Sequence, residues 1–268
     1  MRQLSHAFRT LFRTPFVTII AVLSLALGIG ANAAIFSLFD QIMLRPLPVP
    51  EPDRLVNLAA PGPKPGSQSC GQAGDCDVVF SYAMFRDLER AQTVLTGLAA
   101  HDLFGASLSY QDAPLTGEGM YVSGTYFPTL ELRPALGRLF TPDDDRTIGG
   151  DFVVVLSYGF WEQHFGSNRR VIGQTLKVNG QSMTIVGVAP EGFRGTTTGA
   201  LPLVYVPIDM RGVVSPGFNG FDNRRSYWMY VFGRLKPGVS MTAASAGLNA
   251  LYHPIITDVE APLQKGMS

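Results

Sequence analysis

The feature that most constrains this chain is an uncharged stretch near its N-terminus, Phe16 to Phe39, which reads FVTIIAVLSLALGIGANAAIFSLF. As an α-helix these residues, at about 1.5 Å each, span a hydrocarbon core of about 30 Å. Arg2, Arg9 and Arg13 precede the stretch without an acidic residue among them. The sequence therefore predicts a transmembrane helix over residues 16–39. Because basic residues that flank such a helix remain on the cytoplasmic side of the membrane, it also predicts a cytoplasmic N-terminus and an extracytoplasmic main domain.

A cleaved secretory signal is the alternative to a retained anchor. The tripeptide Ala31-Asn32-Ala33 fits the small-x-small pattern that precedes a signal cleavage site. However, the apolar character continues through Ile35 and Phe36 to Phe39, where a signal peptide normally turns polar. The continuation favours a retained anchor in the lipid bilayer.

Two glycines inside the apolar stretch have two interpretations. Gly28, Gly30 and Ala33 match the G-x-G-x-x-A spacing of a dinucleotide-binding loop, but that loop requires a strand before it. Small residues also let transmembrane helices approach closely. We therefore predict that Gly28 and Gly30 are helix-packing positions.

The residues before the apolar stretch place Leu4, Phe8, Leu11 and Phe12 at helical spacing, with arginines between them. This pattern predicts a cytoplasmic amphipathic segment, residues 1–15, on the inner membrane face. An ordinary cytoplasmic flank of the anchor explains the same residues.

The remainder, residues 46–268, mixes strand and helix patterns. Short strands are predicted at Leu98–His101 and Ala106–Tyr110, and helices are predicted to begin after Ser81, Ser157 and Ser240. The dipeptide Asn179-Gly180 between two apolar runs predicts a hairpin turn, since its type needs positive φ at both positions. Alternation without a fixed crossover repeat indicates an α+β domain.

Nothing in the composition or motifs indicates catalysis or nucleic-acid binding. Lys plus Arg and Asp plus Glu are equal at 21 each, and the four histidines lack metal-ligand spacing. The chain has no nucleophile elbow and no phosphate-binding loop. The acidic run Asp143, Asp144 and Asp145 lacks the alternation of a calcium loop and predicts a solvated loop or helix start. We expect no enzyme activity, no metal and no cofactor in this chain.

The cysteines, Cys70 and Cys76, lie in a loop rich in glycine and serine. In an oxidising compartment they favour a small disulfide-closed loop. Two free thiols are the alternative, and an active redox pair normally has only two intervening residues.

An ordered set of segments resembles one family. The segments are ALGIGANAAIFSLFDQIMLRPLPVPEPDRLV (Ala26–Val56), FSYAMFRDL (Phe80–Leu88), VSGTYFPTLELRPALGRLFTPDDD (Val122–Asp145), VVLSYGFWEQHFG (Val154–Gly166), IGQTLKVNGQSMTIVGVAPEGFRG (Ile172–Gly195) and GRLKPGVS (Gly233–Ser240). Together they are similar to the permease subunits of MacB-type ABC transporters, in the first transmembrane helix and the periplasmic core domain. The resemblance implies a two-lobed outer domain with the middle lobe inserted.

The resemblance also implies a function. Such permeases sit in the inner membrane and couple ATP hydrolysis by an ABC ATPase subunit to movements of the outer domain, in efflux or envelope transport. Implied partners are that ATPase, which binds the ATP, a second permease copy or homologue, and periplasmic or outer-membrane proteins. No FtsX-like permease region with further apolar spans follows in this sequence. The expectation is a truncated permease; the alternative is a single-pass accessory or binding protein.

Overall fold

A computed structural model of the chain describes residues 15–39, 47–61, 64, 66–72 and 76–262. Contacts divide the chain into two units, one ending at Pro46 and one beginning at Leu47. The predicted amphipathic segment lies outside the described residues, apart from Pro15. The two-lobe division of residues 46–268 stays a prediction.

The first unit contains one described helix, α1 (Pro15–Phe39). Its stretch Thr18–Ser37 has a mean hydropathy of 2.2 and is long and apolar enough to cross a membrane. The large apolar side chains of α1 that the structure describes are exposed, for example Leu27 at 77%. Exposure of this kind is expected of a helix whose surroundings are lipid, because an apolar surface of this size is unfavourable in water.

The second unit is a mixed α+β domain, which confirms the predicted fold class. Its helices are α2 (Tyr82–Ala91), α3 (Tyr126–Leu130), α4 (Tyr158–Phe165), α5 (Arg211–Val214) and α6 (Met241–Pro254), which continues as a π-helix (Ile255–Glu260). Ser81, Ser157 and Ser240 accept hydrogen bonds from the backbone N–H groups of the first turns of α2, α4 and α6, as predicted.

Eleven strands belong to one sheet in the described part of the chain. They are β1 (Leu55–Asn57), β2 (Ser67–Gln68), β3 (Val79–Ser81), β4 (Leu95–Tyr110), β5 (Ala113–Val122), β6 (Leu136–Gly137), β7 (Val153–Leu156), β8 (Thr175–Val178), β9 (Gln181–Val188), β10 (Val204–Pro207) and β11 (Ser226–Leu235). The main path runs β1-β11-β4-β5-β10-β7-β9-β6. Short strands β2 and β3 pair with β11.

Strand β8 closes part of this sheet on itself. It pairs with β9 along its whole length and with β4 at Leu108 and Ser109. The path β4-β5-β10-β7-β9-β8 therefore returns to β4 and forms a barrel-like ring of six strands. Closing a sheet in this way removes exposed strand edges.

The prediction of two short strands at Leu98–His101 and Ala106–Tyr110 is wrong in one respect, because both belong to the 16-residue strand β4. Its first half pairs with β11 up to the pair His101–Tyr230, and its second half belongs to the ring. Burial is interrupted at Leu103, Phe104 and Gly105, between the two predicted segments, so the sequence has the pattern of two separate strands.

The turn between β8 and β9 consists of Asn179 and Gly180, with φ of 47° and 83°. The Asn179 side chain accepts a hydrogen bond from Ser107 N at 2.7 Å and donates one to Gly105 O at 3.1 Å. The turn is thereby fastened to β4, next to the strand pair that closes the ring.

We predict that Gly180→Val lowers the melting temperature by roughly 3–5 °C, because positive φ costs a β-branched residue about 1–2 kcal/mol. A Cβ at Gly180 would meet no atom within 4 Å, so the cost comes from the backbone conformation alone. Gly105→Val is the matched control, since Gly105 is a strand residue that is equally open. Equal thermal unfolding of the two variants would contradict a strained turn.

Candidate functional site

The candidate site is the attachment of residues 47–57, here called the entry segment, which follow the apolar helix in sequence after residues 40–46. Strand β1, at the end of this segment, pairs antiparallel with the end of β11, from Leu55–Arg234 to Asn57–Phe232. Before it, Leu47 and Val49 pack against an aromatic cluster. The buried aromatic members of that cluster are Tyr126, Phe127, Phe140, Phe193, Tyr205 and Phe232.

Arg234 of β11 reaches the entry segment from inside the domain. It is 1% exposed, and its guanidinium donates to Thr129 O at 2.7 Å, to Leu130 O at 3.4 Å and to Glu51 O at 3.2 Å. Thr129 and Leu130 end α3, where carbonyl groups lack partners within the helix. One buried cation thus joins β11, α3 and the entry segment.

Arg54 makes the reciprocal connection. Its Nε and Nη2 donate to Leu235 O at 3.0 and 2.6 Å, and its Nη1 lies 2.5 Å from Glu51 Oε2. The two arginines, together called the arginine clasp, therefore each bind backbone carbonyl groups on the other's segment. Backbone acceptors cannot rotate away, so this arrangement holds the entry segment more rigidly than a surface ion pair.

Local sequence patterns do not predict the arginine clasp, although both residues lie in the segments that carry the family resemblance. An available signal was the position of Arg234 in the apolar strand YVFGRL, because a charge within a buried strand needs a partner. Arg54 had no comparable signal, since it follows a proline-rich segment in which a solvated charge is the usual expectation.

A second group of buried charges lies between α2 and the segment Pro142–Asp145. Arg86 Nη2 is 2.7 Å from Asp145 Oδ1, and Gly124 N donates to Asp145 Oδ2 at 3.0 Å. Burial raises the pKa of Asp145 to about 6, against the opposing effect of Arg86. Asp209 is 1% exposed, and burial together with the carboxylates of Asp145 and Asp151 raises its pKa to about 9.

The predicted helix start after Pro142 is present as a short 3₁₀-helix, Pro142–Asp145. The expectation that the acidic run is solvated is wrong for two of its three residues. Asp143 is exposed, but Asp144 and Asp145 are 7% and 6% exposed. Asp144 accepts from Arg138 Nη1 and Nη2, both at 2.7 Å, and from the Thr141 N–H at 2.9 Å. The arginine partners are distant in sequence or lie before the run, so local pattern does not show them.

Cys70 and Cys76 form a disulfide, with a Cα–Cα distance of 5.0 Å. Within the loop, Gln72 N donates to Tyr230 Oη at 3.1 Å, and Gln72 Nε2 donates to Asp102 Oδ1 at 2.5 Å. Asp102 also pairs with Arg211, whose guanidinium lies 4.1 Å from the Trp228 ring centroid. The closed loop is thereby attached to the sheet where β4 and β11 separate.

The other predicted positions are not members of the arginine clasp. Gly28 and Gly30 belong to α1, and a Cβ at either would meet no atom within 4 Å. That open space leaves room for another helix, and their packing role stays a prediction. Among the described residues, no group of three or more His, Cys, Asp or Glu side chains could hold a metal ion. The expectation that the chain is not an enzyme also stays a prediction.

A single family model covers both α1 and the folded domain. Residues 18–251 match the model of the MacB-like periplasmic core domain. The chain belongs to this family. No curated protein is significantly similar in sequence to this MacB-like chain.

Solved structures share the MacB-like fold at low sequence identity. The periplasmic region of MacB from Actinobacillus actinomycetemcomitans aligns with a TM-score of 0.54 and 18% identity, over 74% of this chain and 84% of that one. The extracellular domain of the noncanonic ABC-type transporter YknZ from Gram-positive bacteria gives 0.52 and 18%, over 74% and 92%. A domain of a putative permease from Porphyromonas gingivalis gives 0.50 and 16%, over 76% and 82%.

We predict that Arg234→Met destabilises this MacB-like domain by about 3 kcal/mol, or roughly 6–12 °C in melting temperature, because three carbonyl groups lose their donor. Tryptophan fluorescence of the full chain in detergent micelles during heating measures the shift. Arg133→Met, at an exposed position, is the control and should change stability by less than about 0.5 kcal/mol. A shift for Arg234→Met as small as the control's would contradict a structural role for the arginine clasp.

We also predict that Asp209→Asn flattens the dependence of stability on pH. Because the folded-state pKa of Asp209, about 9, lies above its unfolded value, the folded state alone holds this proton between roughly pH 4 and 9. This contribution is present at low pH and is lost as pH rises towards 9. The loss of melting temperature between pH 5 and 8.5 should be smaller in the variant by roughly 10 °C. Asp222→Asn, at an exposed site, should keep the original slope.

Proposed function

We propose that this chain is a permease subunit of a MacB-type ABC transporter, which couples ATP hydrolysis by a partner in the cytoplasm to movements of its extracytoplasmic domain. The observation that carries the proposal is the family match over residues 18–251, which includes most of α1 together with the domain. A role confined to the domain would not require a family pattern that extends through an apolar helix.

The arginine clasp supports this coupling. Movement of a transmembrane helix reaches an outer domain only if the connecting segment is held firmly by that domain. Here the entry segment is held by β pairing, by apolar packing and by hydrogen bonds from Arg54 and Arg234. These contacts meet at the end of β11, and that same end, from Tyr230 to Leu235, pairs on its other side with β4. A displacement of the entry segment would therefore act on the long strand that enters the ring.

The proposed cellular location and membrane topology of the chain rest on the transmembrane helix predicted at α1. The N-terminus lies in the cytoplasm, α1 crosses the inner membrane and the domain lies in the periplasm or outside the cell. The ABC ATPase subunit binds and hydrolyses the ATP, and this chain contributes no cofactor. Gly28 and Gly30 provide a surface for close contact with a neighbouring transmembrane helix, supplied by a second copy or a homologous permease. Periplasmic or outer-membrane proteins are further proposed partners of the domain.

The experiment is co-purification from the source cells after mild chemical cross-linking. We predict that the affinity-tagged chain captures an ABC ATPase subunit, and that the double variant Gly28→Leu, Gly30→Leu captures about tenfold less, equivalent to roughly 1.4 kcal/mol. Leu25→Ile, which preserves side-chain volume on the same helix, is the control and should capture as much as the unaltered chain.

Capture of no ATPase by the unaltered chain would contradict the permease assignment. If the chain also supported its biological role in cells without the ATPase, the single-pass accessory protein would be the better description. Equal capture by the glycine variant and the control would leave the ATPase partnership intact and would contradict the helix-packing role of the two glycines.

A further inference from the structure

The last helical part of the domain, Leu248 to Glu260, buries almost none of its side chains. It comprises the second half of α6 and the π-helix, and we call it the C-terminal arm. The structure describes all of its residues, and Glu260 is the one that is buried. The half-buried side chains that pack against the core are those of Leu248, Leu251, Tyr252, Ile255 and Ile256. The arm therefore gains little of the apolar burial that normally holds a helix on a domain.

A cavity of about 300 Å³ separates α6 from the elements beneath it. Its walls include Val56 of β1, Leu58 and Leu88 of α2 on the domain side, and Leu248 and Tyr252 on the arm. The cavity is about twice as large as one that holds benzene. Apolar atoms that face such a space lack the contacts that they would make in a filled core. Detaching the arm here consequently breaks few packing contacts.

The end of the arm is held by the Arg224 bridge, a pair of ionic hydrogen bonds that joins three parts of the chain. Arg224, which lies just before β11, donates from Nε to Glu260 Oε1 at 2.8 Å and from Nη2 to Asp87 Oδ2 of α2 at 2.6 Å. Glu260 is 3% exposed, and burial raises its pKa while Arg224 opposes that shift. Without Arg224 the buried carboxylate would lose its hydrogen-bonded cation, which strongly favours its transfer to water.

Two backbone features set the extent of an opening. Gly247 brings α6 so close to Val94 that a Cβ there would lie 2.8 Å from Val94 Cγ1, so the helix is closely packed up to this point. Pro254 has no N–H for the carbonyl group four residues earlier, and the π-helix begins directly after it. Isolated helices shorter than about 12–15 residues are marginal in water, so a detached arm would also unwind.

We propose that the C-terminal arm opens as a local unit and that the Arg224 bridge is its latch. In the closed state the bridge holds the arm beside the 300 Å³ cavity. In the open state the chain detaches and unwinds beyond Gly247, and the Glu260 carboxylate becomes hydrated. The cavity wall at Val56 is then uncovered, and with it one side of β1, the strand that ends the entry segment. The proposal does not depend on the transport function.

The test is hydrogen–deuterium exchange of the full chain in lipid nanodiscs, measured by mass spectrometry and corrected for intrinsic exchange rates. In the unaltered chain we expect the amides of the arm to exchange at least about tenfold faster than those of β9 in the ring, because a local opening needs less free energy than global unfolding. Low concentrations of urea should accelerate exchange in β9 but hardly in the arm, since the effect of urea scales with the surface that the opening exposes.

Two substitutions test the latch. Arg224→Met should accelerate exchange in the arm about tenfold, because it leaves Glu260 buried without its cation. Asp87→Asn removes only the more exposed of the two ion pairs and should accelerate it about threefold. Arg90→Met, at an exposed position on the same helix as Asp87, is the matched control and should leave exchange in the arm unchanged.

Equal opening free energies of the arm and of β9 in the unaltered chain would show that the arm opens only when the domain unfolds, and would overturn the proposal. Exchange in the arm of Arg224→Met no faster than in Arg90→Met would also overturn it, because the bridge would then not be a latch. If Arg224→Met does not fold, the comparison of Asp87→Asn with Arg90→Met decides: faster exchange in the former supports the latch, and equal exchange contradicts it.

Discussion

The guanidinium of Arg234 is the group on which the attachment of the entry segment to the domain depends. A buried cation is strongly unfavourable unless its donors are satisfied. Here the acceptors are carbonyl oxygens of α3 and of the entry segment. Neither segment can move away from β11 without leaving buried polar groups unpaired. The arginine clasp therefore keeps three segments, distant in sequence, in one arrangement.

The effect of this arrangement extends through two long strands. The C-terminal half of β11 pairs with the entry segment on one side and with β4 on the other, and β4 continues into the six-strand ring. Backbone hydrogen bonds in a ladder resist sliding, because a shift by one residue would turn every buried side chain to the opposite face. A displacement applied at the entry segment is therefore expected to move the sheet as a body. This property suits a domain that follows the motion of membrane helices.

Local features were predictable from sequence, and long-range pairings were not. The apolar helix, the α+β class and the serine caps of α2, α4 and α6 depend on residues close together in the chain. The burial of Asp145 depends on Arg86, which is 59 residues away, and that of Arg234 depends on Glu51 at a separation of 183. The continuity of β4 was also hidden, because its two halves pack in different surroundings.

The buried polar groups of the domain include charged side chains that have partners and neutral atoms that have none. Arg86, Arg211 and Arg234 are each matched by a carboxylate or by backbone carbonyl groups, and such matched groups hold segments together. Three buried atoms of uncharged residues, His101 Nδ1, Gln72 Oε1 and Thr197 Oγ1, lack partners within the described part of the chain. Leaving a neutral polar atom unpaired costs about 1–3 kcal/mol, far less than leaving a buried charge unpaired. The fold can therefore tolerate a few unpaired neutral atoms, whereas leaving a buried arginine unpaired would destabilise the segment that carries it.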